Sequence, residues 1–422
     1  MMREPMINGA EEGQLSLIET ACHELLTYGT WDCRKKVRSL IKKHVLRRPV
    51  PAEDPIFWPT GLLAAGLWEC RQRIALELEQ VKAGGEQKPA AGMEAGTGGV
   101  QMPAGTGAGL AQETVRRIDT ALSAYYGRWM QKDFPVSCLD DLLAGETLLA
   151  IYEADQKICE EEQKNAAAEK ENRTWTDNIT VLDQDMLSYT MAVEGMAKRA
   201  RGHAVDETGS FPYRERNGSK LVLVDTIGLA CPFLYRYGQD PEKEYAMEVA
   251  VKQIVNFLAY GMDAATGLPY HGYVVADACK YGIIGWGRGV GWLLRGMTGC
   301  MTTLYGAEKL SDSFKDLADT VLGYQRRDGY FSWQLQAMDG PADTSATGLI
   351  CVALKKGMEF GMLEGEQYEL ALLAGQQAID RSIKNGRVYD CSGECEGPGQ
   401  YPQRYDAYPW SLGPALMLYS GE

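Results

Sequence analysis

Only four histidines occur in 422 residues, and the eleven cysteines form no CxxC pair or other metal-ligand spacing. Cys391 and Cys395 come nearest to one but have no partner pair elsewhere, so no zinc site is expected. An odd number of scattered thiols reads as reduced cysteine, which suits a cytoplasmic chain. Positive charge is in deficit: 43 Lys and Arg face 57 Asp and Glu, a net charge of −14. That balance argues against a nucleic-acid partner, because phosphate binding needs clustered cations that displace counterions. No run of eighteen apolar residues exists, which excludes a membrane-spanning helix. The opening stretch, MMREPMINGAEEGQ, lacks the basic flank and apolar centre of a signal peptide, so none is expected. Strand signals are scarce as well.

What is present is helical periodicity with a long-range repeat. Residues 246–258 (AMEVAVKQIVNFL) place Met247, Val251, Ile254, Val255 and Leu258 on one face. Such helices are each followed by a similar phrase: ETGSFPY, ATGLPYH, RDGYFSW and KNGRVYD. Their glycines, Gly209, Gly267, Gly329 and Gly386, stand 58, 62 and 57 residues apart and are expected to be left-handed helix stops. Second helices starting near Asp225, Trp286, Thr344 and Tyr408 follow at intervals of 61, 58 and 64 residues. A period of about sixty residues corresponds to one helical hairpin. Extending backwards, residues 115–130 pair with a helix near Asp140, and residues 14–46 with one near Trp58. The second helices are rich in Gly, Ala and Leu (LLAAGLWE, IGLACPFL, GWLLRGM), as a crowded inner ring requires. The expected fold is all-α, an (α/α)6 barrel of six hairpins that uses residues 1–422 as one domain. A Gly/Ala-rich insertion is expected at about 83–112, and residues 156–172 read as a solvated charged stretch.

In such a toroid, one mouth gathers the N-termini of the inner helices and the loops that feed them. Those loops carry Trp58, Tyr270, His271, Tyr273, Trp286, Arg288, Trp333 and Trp410, a set suited to stacking on sugar rings and fixing their polar groups. Asp225 lies in LVLVDTIGLACPFL, among apolar neighbours and with no cation close in sequence. Desolvation would make it a carboxyl able to donate a proton near neutral pH. As a helix N-cap it would instead favour the carboxylate, and both readings stand. Asp140, in SCLDDLLAG, holds the equivalent place one repeat earlier. A turn of about 100° per residue lets only one of Asp140 and Asp141 face inward. Two carboxyls at one mouth are what a glycosidase uses for acid and base work. His271 is placed in a loop, whereas His23, His44 and His203 fall in or beside outer helices. WGRGVGW, residues 286–292, has dinucleotide-like glycines, but no strand is read before it and that reading is rejected. Its glycines are expected to let the backbone pass close to a ligand, with Arg288 offering a fork to a carboxylate.

Taken in order, VDTIGLACPFLYRYG, GLPYHGY, WGRGVGW and DTSATG (residues 343–348) resemble the unsaturated rhamnogalacturonyl hydrolases of glycoside hydrolase family 105. They also resemble the related unsaturated glucuronyl hydrolases of family 88. The resemblance runs from about Arg128 to the end of the chain. It implies that Asp225 is the general acid/base, that Asp140 is a second required aspartate, and that His271 and Arg288 contact a uronate. Trp286, Tyr270, Trp292, Thr344 and Trp333 are the further substrate-binding candidates. The implied reaction protonates the C4=C5 double bond of a terminal unsaturated uronic acid at C4 and adds water at C5. The hemiketal then collapses, opens the ring and releases the neighbouring sugar, with no metal or organic cofactor. The implied substrate is a small acidic oligosaccharide left by polysaccharide lyases, of pectin among others. The chain departs from the family at Val290, where asparagine is usual, and at Asp277, which follows YHGY later than usual. Two other readings share the fold: an inverting glycosidase using Asp140 and Asp225 on a saturated uronide, and a non-catalytic carbohydrate-binding protein.

Overall fold

Helices rich in small residues alternate along the chain with helices that carry the charge, and this alternation sorts them into two rings. The computed structural model describes residues 4–28, 45, 56–85, 106–168, 186–213 and 219–419. Among these, the α-helices are α1 (Glu4–Thr27), α2 (Trp58–Gly85), α3 (Thr106–Met130), α4 (Leu142–Ala168), α5 (Met186–Arg201) and α6 (Val224–Tyr237). They continue as α7 (Tyr245–Tyr260), α8 (Gly287–Gly299), α9 (Leu304–Leu322), α10 (Thr344–Glu359), α11 (Glu366–Ser382) and α12 (Pro409–Leu418). Each even-numbered helix packs on the next even-numbered one, and α12 packs back on α2, so the inner ring is closed. Odd-numbered helices return the chain along the outside. The inner helices are therefore parallel, with their N-termini at one mouth. This is the (α/α)6 toroid expected, and every inner helix begins within two residues of its expected start. Among the described residues no helix is long and apolar enough to cross a membrane.

Ring closure demands close backbone approach. A Cβ added to Gly66 of α2 would lie 2.5 Å from the Gly413 carbonyl of α12, and one added to Gly413 would lie 2.5 Å from the Leu62 carbonyl. At the next seams, Gly228 of α6 faces the Trp292 carbonyl at 2.6 Å and Gly291 of α8 faces Leu349 Cβ at 2.6 Å. The ring also tolerates Pro232 inside α6. Proline lacks the N–H that would bond the Gly228 carbonyl, and Arg295 of α8 donates to that carbonyl instead.

Several local expectations change. The four repeat glycines do have positive φ, from +69° to +85°. They are not the helix stops, however: α7 and α9 end at Gly261 and Gly323, both in the right-handed region. The repeat glycines lie some residues further on, in the turns that reverse the chain. The Gly/Ala-rich segment is helical at both ends, since α2 reaches Gly85 and α3 starts at Thr106; residues 86–105 lie outside the described residues. The charged stretch continues α4 as far as Ala168, and the rest of it, like residues 29–44, lies outside them too. Short strands, unseen by periodicity, cluster at the mouth. They are β1 (Val222–Leu223), β2 (Tyr270–Val274) and β3 (Cys279–Ile284) in one antiparallel sheet, then β4 (Ile383–Lys384) with β5 (Arg387–Val388), and β6 (Cys391–Ser392) with β7 (Tyr405–Asp406). A strand therefore does precede WGRGVGW. It is antiparallel to its neighbour and belongs to no βαβ unit, so the dinucleotide reading fails on topology instead.

The α2–α12 seam can be tested. Gly66→Ala forces backbone apart and should cost about 1–3 kcal/mol, the usual range for overpacking. Gly195→Ala, on outer helix α5 with nothing within 4 Å of the new methyl, should raise stability by about 0.5–1 kcal/mol. Urea denaturation of both variants checks the pair. Equal effects would mean that the seam is not tight.

Candidate active site

The site begins with a two-residue strand. β1 runs straight into α6 and pairs with β2, setting Leu223 opposite Gly272. Asp225, two residues past Leu223, thus comes beside His271, one residue before Gly272. The side chains meet, with His271 Nε2 3.0 Å from Asp225 Oδ2. Leu223 is the N-cap of α6, and Asp225 spends its hydrogen bond on His271 rather than on the helix amides. The capping reading is set aside. His271 lies on β2, not in a loop as expected, and its side chain is 2% exposed against 19% for Asp225.

Burial opposes charge on His271, but the hydrogen bond from its ring to Asp225 and the charge of that carboxylate outweigh burial. Together they hold His271 raised to about 11. The pair therefore favours the imidazolium at neutral pH. No sequence neighbour of Asp225 announces it, because the cation arrives from β2.

Asp140 and Asp141 divide as helix geometry requires. Asp141 Oδ2 accepts the Ser137 and Cys138 amides at 2.6 and 3.1 Å, closing the turn that leads into α4. Asp140 Oδ2 accepts the Tyr213 hydroxyl at 3.3 Å. Tyr213 is one wall of a cleft of about 570 Å³ whose lining includes Asp225, His271 and Leu223, with residues 394–398 and Gln400 opposite. The cleft thus brings together the expected Asp225 and His271, with Asp140 one hydrogen bond behind its wall.

The other expected site residues are placed differently. Arg288 is buried, and its guanidinium donates to the Ser392 carbonyl, the Ser392 and Ser345 hydroxyls and the Gly393 carbonyl at 2.8–3.2 Å. The same two serine hydroxyls donate to Asp343, each at 2.6 Å. Two buried charges are thereby joined through serines, and together they pin β6 to the barrel. Thr344 bonds the Tyr389 carbonyl, and Trp292 lies in the core against Trp58. Trp286 lies against both His271, 4.5 Å away, and Arg288, 5.1 Å from its ring. Tyr270 lies under Lys280, and Trp333 lies against Tyr401. Val290 is fully buried. The glycines of WGRGVGW meet protein rather than cleft: a Cβ on Gly287, Gly289 or Gly291 would strike Ser332, Trp286 or Leu349. They serve helix packing, which corrects the expectation of a ligand there.

Sequence reading missed the whole segment between β6 and β7, which supplies Glu394, Glu396 and Gln400 to the cleft and Tyr401 to His271. The signal was GPGQYPQR, a Gly/Pro-rich loop just ahead of the last inner helix. It lies between an outer and an inner helix, as GLPYHGY does two repeats earlier. Among the described residues, no group of three or more His, Cys, Asp or Glu side chains is arranged to hold a metal ion.

A carboxyl paired with a histidine lies at the mouth of a six-hairpin helical toroid. The family model of Glycosyl Hydrolase Family 88 matches residues 115–421, and the chain belongs to that family. A 24.9 kDa protein in the picA locus of Rhizobium radiobacter is 29% identical over 164 residues, covering 36% of this chain and 70% of that protein. Among solved structures, a possible member of glycoside hydrolase family 105 from Klebsiella pneumoniae aligns with a TM-score of 0.69 at 14% identity. That alignment covers 100% of this chain and 94% of that one. An unsaturated glucuronyl hydrolase specific for heparin aligns at 0.58 and 14% identity, covering 97% and 96%. At such identities the likeness is one of fold.

The ion pair makes a pH-dependent prediction. A folded-state value raised above the unfolded one stabilises fully below about pH 6.5, the ordinary histidine value, and is lost as pH rises toward about 11. In Asp225→Asn, burial acts on His271 without the carboxylate, so its NMR titration midpoint should fall below the ordinary value. The stability gap between wild type and variant should narrow from pH 7 upward. An unmoved midpoint would mean that Asp225 does not hold the proton on His271.

Proposed function

We propose that this glycoside hydrolase releases the terminal 4,5-unsaturated uronic acid from small oligosaccharides by hydrating the C4=C5 double bond. The observation that carries the reading is the Asp225–His271 pair facing the cleft. Protonating the carbon of an enol ether needs an acid whose conjugate base is stabilised as the proton leaves. In the proposed step, the one proton shared by the pair passes through Asp225 to C4 and leaves the Asp225 carboxylate. That carboxylate then takes a proton from the water attacking C5, and the resulting hemiketal collapses with release of the neighbouring sugar. Asp140, held by Tyr213, is the second carboxyl at the site and orients the sugar or the water. The heparin-specific unsaturated glucuronyl hydrolase that shares the fold and the family 88 match support this substrate class. The sequence resemblance to rhamnogalacturonyl hydrolases adds pectin-derived disaccharides to the candidates.

Absorbance of the conjugated double bond reports the reaction directly. Wild type should bleach at least one among unsaturated disaccharides derived from rhamnogalacturonan, heparin and chondroitin. Asp225→Asn should lower kcat by about 10²–10⁴-fold, the usual worth of a general acid/base. Activity should fall on the alkaline side, as His271 loses its proton toward about pH 11. Cleavage of saturated uronides with no bleaching of unsaturated ones would sink the proposal.

A further inference from the structure

His271 is held at both ring nitrogens. Nε2 meets Asp225 at 3.0 Å, and Nδ1 meets the Tyr401 hydroxyl at 2.8 Å. Building on the function proposed above, we infer that Tyr401 is a positioning residue. Its hydroxyl oxygen fixes a proton on Nδ1 of His271, so that the one exchangeable proton of the pair runs between Nε2 and Asp225.

Four features support this role. The Tyr401 oxygen also accepts the Ile283 amide of β3 at 3.3 Å, which fixes where it sits. The phenol ring is wedged against Trp286 and Trp333, with centroids 5.6 and 5.9 Å away. Gly282, at φ +81°, clears the space: a Cβ there would lie 2.5 Å from His271 Cβ and 2.6 Å from the Tyr401 oxygen. Finally, Tyr401 belongs to the segment that starts at β6, which Asp343 and Arg288 pin through Ser392 and Gly393. Those two buried charges therefore act on the reaction centre through the loop they hold.

The chemistry needs such an acceptor. Asp225 alternates between acid and carboxylate, and whenever it is protonated it stops favouring charge on His271. A buried N–H without an acceptor is costly, so a ring lacking Tyr401's oxygen would shed the Nδ1 proton and keep only Nε2–H. The other titratable groups around the ring are Cys395, which shares the loop with Tyr401, and Glu394, Glu396 and Tyr213 along the cleft. Arg288 lies 5.1 Å from the Trp286 ring and bonds Ser392, Ser345 and Gly393. Of these, Cys395 also hydrogen-bonds the His271 side chain, but a thiol is a weaker acceptor than the Tyr401 hydroxyl at Nδ1.

Tyr401→Phe keeps the ring and removes only the oxygen. In the full-length variant, the nitrogen-15 titration of His271 should shift down by at least one pH unit, with its neutral form carrying the proton on Nε2. On the best unsaturated disaccharide, kcat should fall about tenfold to a hundredfold, with KM within twofold and the alkaline limb displaced toward lower pH. In a His271→Ala background the same change should have no further effect. An unmoved titration in a folded Tyr401→Phe protein overturns the inference, as does additivity in the double variant. The titration uses no substrate, so it decides the matter even where no unsaturated uronide is turned over, an outcome that would remove the proposed function instead.

Discussion

Six parallel helices close into a ring only where neighbouring backbones come nearer than side chains normally allow. That constraint selects the Gly- and Ala-rich inner helices, and it puts Gly66 against Gly413 at the seam between the first and last of them. It leaves little room for chemistry within the ring wall. Bulky, polar and charged groups are displaced to the mouths, where short strands and loops have the freedom to carry them. The position of the site is thus a result of how the ring closes.

At the mouth, the same economy decides what each motif does. β1 is two residues long, yet its pairing with β2 is enough to set Asp225 against His271. Asp343 and Arg288 never touch, but two serine hydroxyls, each donating to one and accepting from the other, make them a single clamp on β6. Residues that look like ligand contacts by type serve here to hold the groups that face the cleft. Desolvated and fully bonded, the clamp is a rigid support for the loop that carries Tyr401.

The architecture was legible because it is written at low resolution: a period near sixty residues, charged helices alternating with small-residue helices. Asp225 and His271 could be singled out by residue type, a carboxyl among apolar neighbours and a histidine away from the outer helices. What escaped was whatever depends on partners distant in sequence. Arg288 reads as a free fork until the fold brings Ser392, 104 residues away. Tyr401 reads as one more loop aromatic until it meets His271 across 130 residues. Strands of two to six residues are too short to show an alternation, so β2 passed for a loop. The repeat glycines were recognised for their left-handed backbone but assigned to helix ends, because a turn several residues beyond a helix needs the same conformation.

Parallel inner helices also give the molecule an electrical axis. Each contributes about half a positive elementary charge at its N-terminus and half a negative one at its C-terminus. The cleft mouth therefore collects positive ends, and there the chain places Asp140, Asp225, Glu394 and Glu396. The C-terminal turns of α6, α8, α10 and α12 reach a second cavity of about 660 Å³ whose lining includes Arg73, Arg236, Arg295, Lys355 and Lys356 against Glu69, Glu146 and Glu359. Lys355 donates to the Met417 carbonyl and Arg73 to that of Tyr419. Side-chain charge thus runs opposite to backbone polarity along the barrel. At the cleft, the positive backbone ends thus offset part of the carboxylate charge that lines it.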